Sequence, residues 1–254
     1  MSDYYNSKRV RGLYQPESQQ PFKLSRSKLE LFLECRRCFY LDRRLGVGRP
    51  PGFPFTLNSA VDALLKKEFD IHRAKGQAHP LMKHFKINAV PLQHEDLNKW
   101  RENFVGVQYH HQPTNLIIFG AVDDIWINAK KEFIVVDYKA TSTESAISLD
   151  DEYRQAFKRQ MEIYQWLLRK NGHKVSNIGY FVYANGRKDK EAFDAKLEFD
   201  VQILSYQGDD SWVEEVVVKA HQCMNAHGLP APDPDCDYCN YRKASKEVLE
   251  KFKS

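Results

Sequence analysis

Apolar residues first recur at helical spacing at Leu29, Phe32, Leu33 and Leu41, and Ser27 followed by Glu30 has the form of a capping box. A helix is expected to start there, after a polar arm. Residues 46–54 (GVGRPPGFP) carry too many prolines and glycines for helix or strand. Beyond them Leu57, Val61, Leu64, Leu65 and Phe69 mark a second helix, capped by Thr56 or Asn58 and fading near Gly76. A mixed segment runs to about Gln93, with a helical start near Glu95. From Phe104 the period shortens. Residues 115–128 (NLIIFGAVDDIWIN) are rich in β-formers, residues 129–131 are a polar turn, and residues 132–138 (EFIVVDY) are nearly continuously apolar. The pattern predicts a hairpin whose second strand is central in a sheet. Phe157, Met161, Tyr164, Leu167 and Leu168 line one side of a helix over residues 151–170. Strands follow over 178–183 and 197–204, then a helix over 212–227, an extended lead-in over 230–235 and a charged helical end.

Helices, then a β-meander, then helix, strand, strand and helix describe an α/β (α+β) fold: a central mixed sheet flanked by helices. The expected organisation is a flexible arm over 1–21, one domain over 22–242 and a charged tail over 243–254. Composition agrees with a folded chain. Of 254 residues, 42% are hydrophobic and 28% charged, enough apolar material for a sizeable core. No apolar run approaches the ~20 residues of a membrane span, and the start lacks the apolar core of a secretory signal. A cytoplasmic protein without a membrane partner is expected.

The net charge of +4 permits nucleic-acid binding without arguing for it. Basic residues crowd two regions, Arg36, Arg37, Arg43, Arg44 and Arg49 in one, and Arg154, Lys158, Arg159, Arg169 and Lys170 in the other. Solvated helix faces are the ordinary reading of such groups. Phe39, Tyr40, Phe53 and Phe55 near the first group are core or loop anchors, or stacking surfaces for the bases of a single strand. Of five cysteines, four form two CxxC elements, Cys35/Cys38 and Cys236/Cys239, with Cys223 left over. Paired CxxC elements without a secretory signal suggest metal rather than disulfides. The histidines show no ligand spacing.

The informative segment is Gly120-Ala121-Val122-Asp123 with Val135-Val136-Asp137-Tyr138-Lys139. On adjacent antiparallel strands Asp123 and Asp137 approach one another. Asp137 and Lys139, two residues apart, share a face. Acids beside apolar strands are costly unless a cation pairs with them. Oxygen ligands suit Mg²⁺ or Mn²⁺. A lysine beside such an ion can orient or deprotonate water, or steady charge developing on a phosphate, which phosphodiester hydrolysis requires.

These residues resemble the PD-(D/E)xK nuclease superfamily, with Asp123 as its first acid and Asp137-Tyr138-Lys139 as its D-x-K element. Within it the chain resembles the RecB-like branch. Gln160-Met161-Glu162-Ile163-Tyr164 matches the QxxxY helix motif, residues 25–40 the opening helix, and Cys236 and Cys239 the place where iron–sulfur members hold ligands. Those members include AddB-type helicase-nucleases and CRISPR-associated RecB-like exonucleases. The resemblance implies a restriction-endonuclease-like core. It further implies catalytic roles for Asp123, Asp137, Lys139, Gln160 and Tyr164, and Mg²⁺ or Mn²⁺ held by Asp123, Asp137, the Tyr138 carbonyl and Asp62.

Two departures stand out. Where the branch has a glycine and, four residues on, a histidine ligand, this chain has Asn58 and Asp62. Asp62 either replaces the imidazole or is a helix-surface acid. The branch pairs one N-terminal with three C-terminal cysteines, whereas this chain has two and two, so Cys38 supplies the fourth ligand of a Cys₄ centre. That centre staples the N-terminal helix to the C-terminal segment. Resemblance favours a [4Fe–4S] cluster, and CxxC…CxxC spacing by itself favours Zn²⁺. The implied activity is a metal-dependent exodeoxyribonuclease on single-stranded ends or flaps, with protein partners in repair or CRISPR adaptation. The rivals are a non-catalytic nucleic-acid-binding or scaffolding subunit and an RNA-directed enzyme on the same fold.

Overall fold

The computed structural model describes residues 8–151 and 154–252. The first seven residues of the expected arm, residues 152–153 of the expected helix and the last two of the tail lie outside that description. In chain order the first elements are β1 (Phe22–Ser25), α1 (Arg26–Glu34), α2 (Arg36–Arg43), α3 (Thr56–Ala74), α4 (Pro80–His84), β2 (Ala89–Pro91) and α5 (Leu97–Arg101). Next come β3 (Val107–His111), β4 (Leu116–Gly120), β5 (Asp124–Asn128), β6 (Phe133–Thr141) and α6 (Gln155–Lys170). β7 (Ile178–Gly186), β8 (Phe199–Gln207), α7 (Val213–Asn225) and α8 (Asp237–Lys251) complete the described chain. The described residues form two compact units, one of residues 54–109 and 119–211, the other of residues 8–53, 110–118 and 212–252.

The first unit contains a five-stranded mixed sheet of order β2-β5-β6-β7-β8. β6 and β7 run parallel, and the other neighbours are antiparallel. The parallel pair is joined through α6, since parallel neighbours need a long crossover. β6 is central, as its apolar run requires, and Val135 and Val136 are fully buried. On one face Val136 and Tyr138 join Leu65 and Phe69 of α3, Trp126, Val182 and Met82 in one core. Phe69 stacks on Trp126 with ring centroids 5.3 Å apart. At Gly179 of β7 an added Cβ would lie 2.4 Å from Met161 Sδ of α6, so the absence of a side chain lets the helix seat on the sheet.

The second unit gathers α1, α2, α7 and α8. β1, β4 and β3 make a three-stranded sheet in that order. α1 and α2 pack on α7, and Phe32 and Phe39 meet edge to face at 5.3 Å. The Tyr14 hydroxyl bonds His221 Nε2 at 3.0 Å. Asp42, fully buried, takes three cations: Arg9 at 3.0 Å, Lys28 at 2.7 Å and Arg43 at 2.9 Å.

Local expectations fail at three places. The helix carrying Leu29 to Leu41 is two helices, because Cys35 is extended at φ −163° and its thiol accepts the Cys38 N–H at 3.4 Å. Ser27 lies inside α1, whose N-cap is Ser25, and neither Thr56 nor Asn58 caps α3; the Asn58 side chain instead donates to the Ala140 carbonyl at 3.2 Å. The β-rich stretch 115–128 is two strands. The chain leaves β4, which pairs with β1 and β3, after Gly120 and enters the five-stranded sheet only at Asp124.

Candidate active site and cysteine centre

That break sets the position of Asp123. It is not within a strand but in the turn before β5, where its carboxylate is free of the ladder. Asp123 Oδ2 accepts the Tyr138 backbone N–H at 2.9 Å. β5 and β6 pair Asp124 with Val136, so Asp123 comes level with the end of β6 that carries Asp137 to Lys139. Asp137 is fully buried and forms an ion pair with Lys139 Nζ through Oδ2. The two share a face, which is also the face that α6 covers. From α6, Gln160 donates its amide to Asp137 Oδ1 at 2.7 Å, and the same nitrogen reaches the Tyr164 hydroxyl at 3.2 Å. The spacing of four between Gln160 and Tyr164 puts both one turn apart on a single stripe. Lys139 Nζ also lies 4.7 Å from the Phe157 ring centroid.

Asp62 reaches this group through Lys66, which reads along the chain as an ordinary helix charge. Lys66, one turn on along α3, donates to Asp62 Oδ2 at 2.8 Å and to Asp123 Oδ1 at 3.2 Å. Burial pushes the Asp62 carboxyl pKa up, Asp123 adds to that, and Lys66 and Lys139 pull it partly back. Burial would lower the Lys66 pKa, but the charges of Asp123 and Asp62 outweigh it and hold the amine above its ordinary value. Glu68 points elsewhere, to His79 Nε2 at 2.8 Å.

Beneath the site lies a second acid that sequence reasoning passed over. Asp124 is fully buried and accepts from Arg101 at 2.8 Å, Arg73 at 2.5 Å and the Tyr138 hydroxyl at 2.7 Å. Arg101 also donates to the Asp123 carbonyl at 3.0 Å and pairs with Asp70. Burial and the neighbouring Asp124 raise the Tyr138 hydroxyl pKa well above its ordinary value, so it stays a donor. This network fixes the backbone at Asp123 and Asp124. Its only sequence signal was the second aspartate of Val122-Asp123-Asp124.

In the helical unit the four paired cysteines converge. Cys35, Cys38, Cys236 and Cys239 are all buried, and their sulfurs all lie within 4.8 Å of one another. Cys35 and Cys239 approach to 3.6 Å, as do Cys38 and Cys236. Arg242 donates to Cys38 Sγ at 3.1 Å, and Arg49 to Cys236 Sγ at 3.5 Å. Burial would raise the Cys236 pKa, but the Cys239 backbone N–H and neighbouring thiols outweigh it and bring it to about 7. Burial pushes the Cys35 thiol up to about 12. Cys223 stands outside the group.

Residues 56–244 match the family model of the PD-(D/E)XK nuclease superfamily. The chain belongs to that superfamily. No curated protein matches it significantly. Membership points to nuclease chemistry on a nucleic-acid substrate with divalent metal. The chemistry of the site's donors suits a hard divalent ion: three carboxylates and a main-chain carbonyl of β6. Asp62 Oδ1 is buried with no hydrogen-bond partner among the described residues, which is costly for a carboxylate oxygen and is what a cation would relieve. Among the described residues only the cysteines form a tight potential ligand group, so Asp62, Asp123 and Asp137 are not so gathered. The chain's own ammonium groups and Gln160 lie on their oxygens.

Several of the basic residues are spent on internal ion pairs. Arg43 pairs with Asp42, Arg49 with Glu34, and Arg169 with Asp210 at 2.5 Å. Phe39 and Tyr40 are core residues, while Phe53 and Phe55 are 92% and 75% exposed. No described helix is long and apolar enough to cross a membrane.

Proposed function

We propose that this chain is a Mg²⁺- or Mn²⁺-dependent deoxyribonuclease of the RecB-like branch, acting on single-stranded ends or flaps. The observation that carries the reading is the junction of Asp123, Asp137 and Lys139 at the β5–β6 end, with Gln160 and Tyr164 on the covering helix. Asp123, Asp137, the Tyr138 carbonyl and Asp62 Oδ1 would hold the metal. When bound, that ion supplies Lewis-acid stabilisation of the phosphate and lowers the pKa of a bound water. Lys139 holds Asp137 with one N–H and turns its remaining donors to the attacking water or to charge developing on the phosphate. Gln160 keeps the Asp137 carboxylate in one orientation. The exposed rings of Phe53 and Phe55 are available to stack on bases.

The cysteine centre is read as a separate, structural site. A tetrahedral ion with metal–sulfur bonds of about 2.3 Å sets sulfurs about 3.8 Å apart. The closest pairs here, at 3.6 Å, suit that edge. In a [4Fe–4S] cluster each thiolate binds a different iron, so the sulfurs must stand farther apart. The spacing therefore supports one zinc ion over a cluster.

The test is purified protein with Mg²⁺ or Mn²⁺ and labelled single-stranded, duplex and flapped DNA beside RNA. Cleavage of single-stranded or flapped DNA that is lost in Asp137→Ala and Lys139→Ala supports the reading. Equal cleavage by both variants, or none by wild type with either ion, overturns it. Cleavage of RNA alone moves the substrate class.

A further inference from the structure

Lys66 Nζ lies between two of the carboxylates of the candidate site. Its ammonium is 2.8 Å from Asp62 Oδ2 and 3.2 Å from Asp123 Oδ1, a cation bridging carboxylates from two different elements. We propose that Lys66 stands in for a second metal ion, so that this centre takes a single divalent cation. The inference rests on the nuclease reading above and concerns how many ions its site holds.

The charge count favours it. Asp62, Asp123 and Asp137 carry three negative charges against the two ammonium groups of Lys66 and Lys139, a net of one negative charge. One divalent ion leaves the group one positive. A second ion would leave it three positive, with two ions standing about 4 Å apart as two-metal sites require. At that separation, and away from bulk water, the repulsion is large. Without Lys66 the three acids and Lys139 would carry a net of two negative charges, and two ions would leave the group two positive rather than three.

The geometry agrees. Lys66 lies one helical turn after Asp62, so α3 presents acid and ammonium on one stripe. Each of the two acids spends one oxygen on Lys66. Asp123 gives its other oxygen to the Tyr138 N–H, and Asp62 keeps Oδ1 buried and unpartnered, one site for one further cation. An ammonium has three N–H donors, and two are used by these acids. The third is left for a phosphate oxygen, the task a second metal ion performs in two-metal enzymes. Lys66 is thus a positioning residue for the acids and a fixed charge facing the substrate phosphate.

Mn²⁺ binding measures this without cleavage. Free Mn²⁺ is followed by electron paramagnetic resonance as it is titrated into wild type, Lys66→Met and Lys66→Arg, with folding checked by circular dichroism. The expected result is one Mn²⁺ per chain in wild type and in Lys66→Arg. Lys66→Met should take up a second ion, with the broadened spectrum of a coupled Mn²⁺ pair. Two ions in wild type overturn the inference and leave the nuclease reading standing. So does a folded Lys66→Met that binds one ion as wild type does, or that loses its ion. A wild-type chain that binds no Mn²⁺ overturns both.

Discussion

Gln160 donates its side-chain amide to Asp137 Oδ1 at 2.7 Å, joining the covering helix α6 to the central strand β6. Asp137 is fully buried, so its carboxylate orientation is set by such partners rather than by water. Groups that orient a ligand without binding the metal are worth about 10–100-fold in affinity or activity.

Gln160→Ala is therefore expected to cut DNA cleavage by about tenfold to a hundredfold while the chain stays folded. The Mn²⁺ concentration for half-maximal rate should rise, because a loosely held Asp137 binds the ion less well. An unchanged metal requirement together with an unchanged rate would show that Gln160 does not orient Asp137.

The Asp42 cluster makes a prediction about acid stability. Burial alone would raise the Asp42 pKa, but Arg43 and Lys28 outweigh it and hold it at about 2. The usual unfolded value is near 3.9, so the native state favours the charged form by about 2–3 kcal/mol. Because the folded pKa is the lower one, this stability is present above about pH 4 and is lost as pH falls toward about 2. Asp42→Asn should cost about 3–5 kcal/mol at neutral pH, since it strands buried Lys28, Arg43 and Arg9 without a counter-charge. Urea unfolding of both proteins from pH 7 to pH 2.5 checks it. The gap between them should narrow below pH 4, and a gap independent of pH contradicts the assignment.

Much of this was legible along the chain because the relevant spacings are short. Asp137 and Lys139 sit two apart on an apolar strand, and alternation alone puts them on one face. Gln160 was singled out by the resemblance to the QxxxY motif, and the helical period explains why it and Tyr164, four apart, lie one turn from each other. The central place of β6 follows from its unbroken apolar run. What could not be read was long-range or depended on a break. The separation of β4 from β5 turns on Ala121-Val122-Asp123 pairing with neither sheet, although the residues on either side of them are strong β-formers. Lys66 reads as an ordinary charge on α3 until the fold brings Asp123 to it. The split between α1 and α2 comes from the Cys35 thiol accepting a backbone N–H, a bond that no periodicity reveals.

Gly106 offers a test of how that break is held. Its φ is +62°, and a Cβ there would lie 2.4 Å from the Gly120 carbonyl carbon and oxygen. Gly106→Ala should therefore destabilise the protein by more than the roughly 1–2 kcal/mol of the left-handed backbone alone. The backbone it would displace leads directly into Asp123, so cleavage should fall even at temperatures where the variant is folded. A variant with wild-type melting temperature and rate would show that the approach of these two glycines does not set the site.

The last prediction concerns the metal of the cysteine centre. Cys35 and Cys38 flank the start of α2, and Cys236 and Cys239 the start of α8, so each CxxC gives two sulfurs to one tetrahedral site. Arg242 and Arg49 donate to three of the four sulfurs and offset part of the thiolate charge. The protein should be colourless as purified, with about one zinc per chain by elemental analysis and no band near ~400 nm. Iron at a stoichiometry of four with such a band would establish a cluster and refute the argument from sulfur spacing. Cys38→Ser is the decisive variant, because only a two-plus-two ligand set makes Cys38 necessary. It should lose the zinc, whereas Cys223→Ser should keep it. Because metal binding and folding are coupled, the loss should appear first as faster amide exchange in α2 and α8, before the β5–β6–β7 sheet opens. Full zinc content in Cys38→Ser, or protection lost first in the sheet, would show that the centre is not what ties these two helices together.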